Sequence, residues 1–191
     1  MKVHIEQGTP DKASHIASLI MEAMNTDCCQ NFAGPHHTLV DFHQMMERLV
    51  KMEDSQYSYL NTLVASNSEG IITGILVAYD GARLKELRRQ FIKEAIVSFG
   101  IDYSAMDAET EAGEFYLDSL AVSSSFRGKG IAKQLLAAAI EKARELGISK
   151  VGLLVDKGNP RAEKLYTKVG FEYVNDTVWG GHGMRHLQYT I

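Results

Sequence analysis

Only three prolines and two cysteines occur in 191 residues, and the cysteines, Cys28 and Cys29, are neighbours. Adjacent residues rarely reach disulfide geometry, which argues against a cross-linked secreted scaffold and for a reducing compartment. The two thiols read as buried or idle rather than as a reactive pair. Long apolar runs are also missing. None approaches the ~18 residues of a membrane span, and the opening MKVHIEQGTPD has no apolar stretch of the signal-peptide kind. Positive charge is not in excess: 20 Lys and Arg stand against 24 Asp and Glu, a net charge of -4. That balance speaks against nucleic-acid and anionic-membrane partners and suits a cationic partner better. The expectation is a cytoplasmic protein.

What is present is ordinary globular material, 45% hydrophobic and 23% charged, long enough for one full core and marginal for two. A single domain over residues 1–191 is therefore expected. The sequence KVHIE alternates like a strand, and TPDKASHIASLIMEAM reads as a helix with Thr9 as N-cap and Pro10 at its first position. Residues 25–37 read as a turn-rich connection. A helix follows in TLVDFHQMMERLVKM, where Thr38 and Asp41 suit a capping box. YLNTLVASNSEGIITGILVAYDG reads as two strands joined at Asn67 to Gly70. Leu84, Leu87, Phe91, Ala95 and Phe99 then recur at helical spacing before Gly100.

The acidic stretch DAETEAGE reads as a solvated linker. After it come a strand in EFYLDSLAV, a helix closed by Gly147, the apolar strand KVGLLV, and a helix with Asn159 as N-cap and Gly170 as stop. FEYV and RHLQYTI end the chain as strands separated by the loop WGGHG. Hairpins mixed with crossover helices imply an α/β (α+β) fold, a mixed sheet with helices on both faces.

One turn stands out. In DSLAVSSSFRGKGIAKQLL a strand passes to a helix through Arg127, Gly128, Lys129 and Gly130. A helix N-terminus presents unpaired N–H groups and roughly half a positive charge. Two glycines clear the approach and two cations add charge, an arrangement suited to a phosphate or pyrophosphate. A glycine-containing turn with solvated cations would read the same way. GxxxxGK[ST] is absent, and GxGxxG is incomplete because Ala132 and Lys133 follow the second glycine.

The wider pattern resembles the GNAT superfamily of acetyl-CoA-dependent N-acetyltransferases. Its pyrophosphate pattern Q/R-x-x-G-x-G/A is met by Arg127, Gly130 and Ala132, and NPRAEKLYTKVGF is similar to its N-x-x-A-x-x-L-Y-x-x-x-G-F signature. The resemblance is strong over residues 114–173. It implies a mostly antiparallel sheet of about seven strands whose fourth and fifth strands splay, with Leu120, Ala121 and Val122 meeting the pantetheine arm through backbone groups. It also implies a loop at Arg127, Gly128, Lys129, Gly130, Ile131 and Ala132 for the pyrophosphate, with Asn159 as a further contact. Tyr166 falls at the general-acid position.

Asp118 is the candidate base, on a period-two strand face with Tyr116, Leu120 and Val122; a structural or substrate-charge role is the alternative. Glu114 reads as a solvated carboxylate on that face. His36, His37, His43, His182 and His186 lie in segments that build the family's acceptor site, but their spacing implies no metal. Phe42, Tyr57, Tyr59 and Trp179 are candidate pocket walls or core residues.

Residues 82–113 are an insertion relative to a minimal member: a lid, a homodimer contact or a core-covering helix. The implied activity is acetyl transfer from acetyl-CoA to a primary amine, more readily on a small molecule. Acetylation of a protein N-terminus or lysine, or a non-catalytic acyl-CoA-binding module, are the alternatives.

Overall fold

The computed structural model describes residues 1–191. Seven strands form one sheet in the order β1-β2-β3-β4-β5-β7-β6. They are β1 (His4–Gln7), β2 (Thr62–Ser66), β3 (Ile72–Asp80), β4 (Phe115–Val122), β5 (Lys150–Asp156), β6 (Glu172–Trp179) and β7 (His182–Thr190). Every neighbouring pair is antiparallel except β4 and β5, which run parallel. Their ladder holds only Phe115 with Val151 and Tyr116 with Gly152. Beyond it the strands part, and the sheet opens in its middle.

Six helices cover the sheet: α1 (Ala13–Met24), α2 (Thr26–Ala33), α3 (Leu39–Lys51), α4 (Leu84–Phe99), α5 (Ile131–Glu145) and α6 (Pro160–Val169). None is long and apolar enough to cross a membrane. Ile16, Ile20, Phe42, Met45, Leu49 and Phe91 pack from α1, α3 and α4 onto one face. Leu135, Leu136, Ala139 and Ile140 of α5, with Leu165 and Tyr166 of α6, pack onto the other. Apolar burial on both faces, each large side chain contributing about 1.5–3 kcal/mol, holds the layers together.

The helical spacing over 84–99 is realised as α4, whose buried Leu87, Phe91 and Ala95 make it a cover for the core, and Gly100 ends it in the left-handed region. The Thr38–Asp41 capping box forms with both reciprocal bonds.

Four expectations are corrected. Pro10 starts a 3-10 turn, Pro10–Lys12, rather than α1 itself, and Thr9 makes no side-chain cap. Residues 25–37 contain α2: Asn25 turns the chain with φ 70° and accepts from the Cys28 amide at 2.9 Å, while burial of Cys29 and Ala33 fixes the helix against α1 and α3. The WGGHG loop shrinks to Gly180 and Gly181. Both have positive φ, as a two-residue hairpin turn requires, so the strands extend to Trp179 and from His182.

The fourth correction concerns β4, which carries a bulge. Val77 of β3 pairs with Ser119 and Ala78 with Leu117, leaving Asp118 without a ladder partner. An extra residue reverses the alternation of side chains. Tyr116 and Asp118 therefore point to the α4 side with Tyr79, whereas Leu120 and Val122 pack on the α5 side.

Candidate active site

The loop between β4 and α5 is built to leave polar groups free. Gly128 and Gly130 sit at φ 77° and 79°, a conformation that side chains other than glycine's adopt only with strain. A Cβ at either position would meet nothing within 4 Å, so the space over the loop is open. The amides of Gly128, Lys129 and Gly130 meet no acceptor in the protein, and those of Ile131, Ala132 and Lys133 open α5 without i−4 partners. Six consecutive donors thus stand at the positive end of a 15-residue helix.

The cations do less than the sequence suggests. Arg127 ties the loop down: its Nε donates to the Val122 carbonyl at 3.0 Å and its guanidinium pairs with Glu22 of α1. Lys129 folds back onto the Ser125 carbonyl at 3.1 Å, 4.9 Å above the Phe126 ring. Leu120, Ala121 and Val122 run along the edge where β4 has left β5. Asn159 caps α6, accepting from the Ala162 amide at 3.1 Å. Tyr166 packs against Phe171 with ring centroids 6.0 Å apart, and no protein group pairs with its hydroxyl. Burial raises that phenol to about 12, so it stays protonated at neutral pH.

On the other face, Asp118 is partly buried and accepts three hydrogen bonds. They come from Tyr79 Oη at 2.8 Å, Ser119 Oγ at 2.8 Å and Gln56 Nε2 at 3.2 Å. No cation touches it. Burial pushes its carboxyl up in spite of these donors. The acidic stretch is not a solvated linker, because its Glu109 lies beside Asp118 with a side chain only 8% exposed. Glu109 pairs with Arg88 of α4 at 2.9 Å and lies within hydrogen-bond reach of Tyr79 Oη at 3.3 Å. Burial, and then the neighbouring Asp118 charge, raise Glu109 to about 7. The Arg88–Glu109 tie joins α4 to the acidic run itself, 21 positions further on, and periodicity carries no mark of it.

Glu114 is likewise buried, at 3%. Its carboxylate lies over Gly152 of β5, where a Cβ would come within 1.8 Å of Oε2. There it bonds His186 Nε2 and Gln188 Nε2, each at 2.8 Å, and Thr110 Oγ1 at 2.6 Å. Burial pushes this carboxyl up, but the three hydrogen bonds outweigh it and hold it below the ordinary value.

A cavity of about 540 Å³ lies between α2, residues 102–106 and the β6–β7 turn. Phe32, Tyr103 and Trp179 form its aromatic walls, with Phe32 and Tyr103 edge to face at 5.1 Å. Asp27 and Asp102 line it without a cationic partner, as do Cys28 and His182. Asp118 and Tyr166 do not line it. Its wall at Met106 connects indirectly to Asp118, since Arg88 donates to the Met106 and Asp107 carbonyls at 3.4 and 2.7 Å while holding Glu109, which shares the Tyr79 hydroxyl with Asp118.

Of the aromatic candidates only Trp179 faces the cavity. Phe42 and Tyr57 are core, and Tyr59 donates outward to Glu53. The histidines do not converge: His43 bonds Ser18, His37 leans on Phe99, and no group of three or more possible ligands forms a metal site. Burial raises both thiols, Cys29 to about 12, so neither is a ready nucleophile.

Comparison with known proteins agrees with this geometry. The model of the acetyltransferase (GNAT) family matches residues 91–171. A ribosomal protein bS18-alanine N-acetyltransferase of Haemophilus ducreyi is 35% identical over 53% of this chain and 65% of its own length. An acetyltransferase of Agrobacterium fabrum is 33% identical over 59% of this chain and 81% of its own. A crystal structure of an acetyltransferase superposes with a TM-score of 0.79 at 27% identity, over 98% of this chain and 99% of that one. An N-acetyltransferase from Staphylococcus aureus Mu50 shares the fold with a TM-score of 0.80 at 24% identity, over 97% and 100% of the two chains. With its splayed β4 and β5 and the open glycine turn ahead of α5, this chain belongs to the GNAT family of N-acetyltransferases.

Proposed function

We propose that the protein moves the acetyl group of acetyl-CoA to a primary amine of a small molecule, by direct attack in a ternary complex. The observation that carries this reading is the row of six unpaired amides at residues 128–133, with open space around Gly128 and Gly130. Such a row fits a pyrophosphate, which accepts several donors at once and gains from the helix dipole. Alongside, the freed edge of Leu120, Ala121 and Val122 offers backbone partners to the amide-bearing arm of the cosubstrate. CoA is present in the structure of a NatC complex, which shares this fold with a TM-score of 0.58 at 17% identity.

Acetyl transfer needs a neutral amine, a place for the developing oxyanion and a proton for the departing thiolate. Tyr166 supplies the last. It is protonated at working pH and has no protein partner to compete for its hydroxyl. The apolar surroundings that raise the phenol raise a nearby thiol as well, which keeps the two matched. Asp118 takes the amine's proton: of a carboxylate's roughly four acceptor positions, three are filled and one remains.

The cavity names the acceptor's character. Two carboxylates without cations and three aromatic rings favour an amine that carries positive charge on an apolar body. A half-open cleft of about 540 Å³ has room for a metabolite or for one extended amine-bearing chain, and a metabolite is the proposed acceptor. Thiol release from acetyl-CoA should be followed with spermidine, 1,4-diaminobutane, a hexosamine, an aminoglycoside and short peptides with free N-termini. Turnover is expected with the di- and polyamines. Turnover with peptides alone would replace the small-molecule acceptor by a protein N-terminus, and release with none of these amines would contradict the reading.

A further inference from the structure

The buried polar network around Asp118 has a feature that amine activation alone does not use. Tyr79 carries a single hydroxyl proton, yet its oxygen lies within hydrogen-bond reach of two carboxylates, Asp118 Oδ2 at 2.8 Å and Glu109 Oε1 at 3.3 Å. It can donate to only one of them at a time. The second approach is stable only when the other carboxyl holds a proton of its own. Arg88 is the one cation in contact with the pair, and it touches Glu109, not Asp118. The charge of two carboxylates is therefore half compensated, the condition under which close acids share a proton.

We propose that Asp118, Tyr79 and Glu109 form a proton exit, in which the proton Asp118 takes from the amine leaves through the Tyr79 hydroxyl to Glu109. This rests on Asp118 being the base. The steps balance. The shared proton first rests on Glu109 and leaves to water, so that Glu109 is a carboxylate. The amine N–H breaks as an O–H forms on Asp118, and that O–H then passes its proton to the Tyr79 oxygen while the Tyr79 O–H passes its own to Glu109. Tyr79 is neutral before and after, in keeping with burial that holds its phenol well above the ordinary value. Glu109 follows the exposed Asp107 and Ala108, and the 8% of its side chain that remains exposed is where the proton passes to water.

Two further atoms fit a network that re-pairs as a proton moves. Gln56 is 2% exposed with Oε1 unpartnered, and the Arg88 Nε is also buried without a partner. An idle acceptor and an idle donor on the two residues flanking the pair are unusual in a static site. The other ionisable groups packed around it, Tyr57, Tyr116 and Tyr79, are phenols raised well above their ordinary range and do not titrate near neutrality. Glu109 acts through Asp118 and is a positioning residue in this scheme.

Carbon-13 NMR of carboxyl-labelled protein between pH 4 and 9 tests the shared proton without any acceptor. The Asp118 and Glu109 resonances should move together in a common step near neutrality, and Tyr79→Phe, which keeps the ring, should separate them into two independent steps. Separate titrations in the unmodified protein would overturn the proposal.

The kinetic arm uses the best amine of the panel above, with acetyl-CoA affinity as the control for folding. Asp118→Asn should lower kcat by about a hundredfold or more. Glu109→Gln and Tyr79→Phe should each lower it about tenfold. Glu109→Gln should also move the acidic limb of kcat/KM to lower pH, because a negative neighbour of Asp118 is gone, and Glu109→Asp should recover part of the loss. Unchanged activity in Asp118→Asn would remove the base assignment itself. A strong loss there with Glu109→Gln superposable on the unmodified enzyme would remove the exit alone.

Discussion

The turn at residues 127–130 and the segment at residues 107–118 both gather charged groups beside the open middle of the sheet, yet they treat polar atoms in opposite ways. In the turn and the first three residues of α5, six amides have no partner, and two glycines keep the space beside them clear. In the segment, Glu109 and Glu114 are nearly inaccessible and Asp118 is partly buried, and protein donors meet all three. The first is a docking site for something from solution, since exposed donors at a helix start gain most from an anion brought to them. The second is a preorganised interior, in which low dielectric strengthens each bond and makes every missing partner expensive.

The contrast can be broken at either end. The largest effect is expected at Tyr166, which stands between the two regions in function. Tyr166→Phe should lower kcat by about a hundredfold or more while the dissociation constant of acetyl-CoA stays within about twofold, read by thiol release and by calorimetric titration. An equal loss of affinity would make the tyrosine a packing residue. Next comes Gly152→Ala, which drives a Cβ into the Glu114 carboxylate and displaces it from His186, Gln188 and Thr110. Urea unfolding should show a loss of about 2–3 kcal/mol, the scale for breaking a buried charged hydrogen-bond set. The same exchange at Gly158, where the nearest atom lies at 3.0 Å on an exposed side chain, should be milder.

A smaller effect follows from pH. Glu109 has a folded value of about 7, above its unfolded one. Its protonated form favours the native state, so stability is lost as pH rises from about 4.5 towards about 7. Glu114 has the opposite sign: its contribution is present above its unfolded value and disappears as pH falls below it. Urea midpoints should therefore peak on the acidic side of neutrality, and Glu109→Gln should flatten the decline between pH 5 and 7. The mildest prediction concerns the cavity. Asp27→Asn or Asp102→Asn should raise the KM of a polyamine several-fold with little change in kcat, and the rise should shrink as salt is added.

How legible each region was in the sequence follows from the same contrast. The turn is mostly local: Arg127-Gly128-Lys129-Gly130 lies between a strand and a helix of clear periodicity, and apart from the Arg127–Glu22 pair its main contacts lie within ten residues. Elements with strong patterns, such as α4 and α5, were equally plain. What failed was non-local. Asp118 lost its expected face with Leu120 and Val122 because a bulge leaves no mark in an alternation read from one strand alone. Glu109 and Glu114 were read as solvated because acidic composition favours water, whereas their partners Arg88, His186 and Gln188 lie from 21 to 74 positions away. The helix α2 was hidden by Asn25 and Gly34, turn residues that here serve as its two ends. Without α2 the cavity it lines is equally invisible in the sequence.

Thermal unfolding with saturating acetyl-CoA, with free CoA and ATP as comparisons, tests the central claim most directly. At one hundred times the dissociation constant a ligand adds about 2.7 kcal/mol, which for a chain of this size raises the midpoint by roughly 5–11 °C. The account predicts such a rise with both CoA forms and none with ATP. No rise with any of them, or an equal rise with ATP, would contradict it.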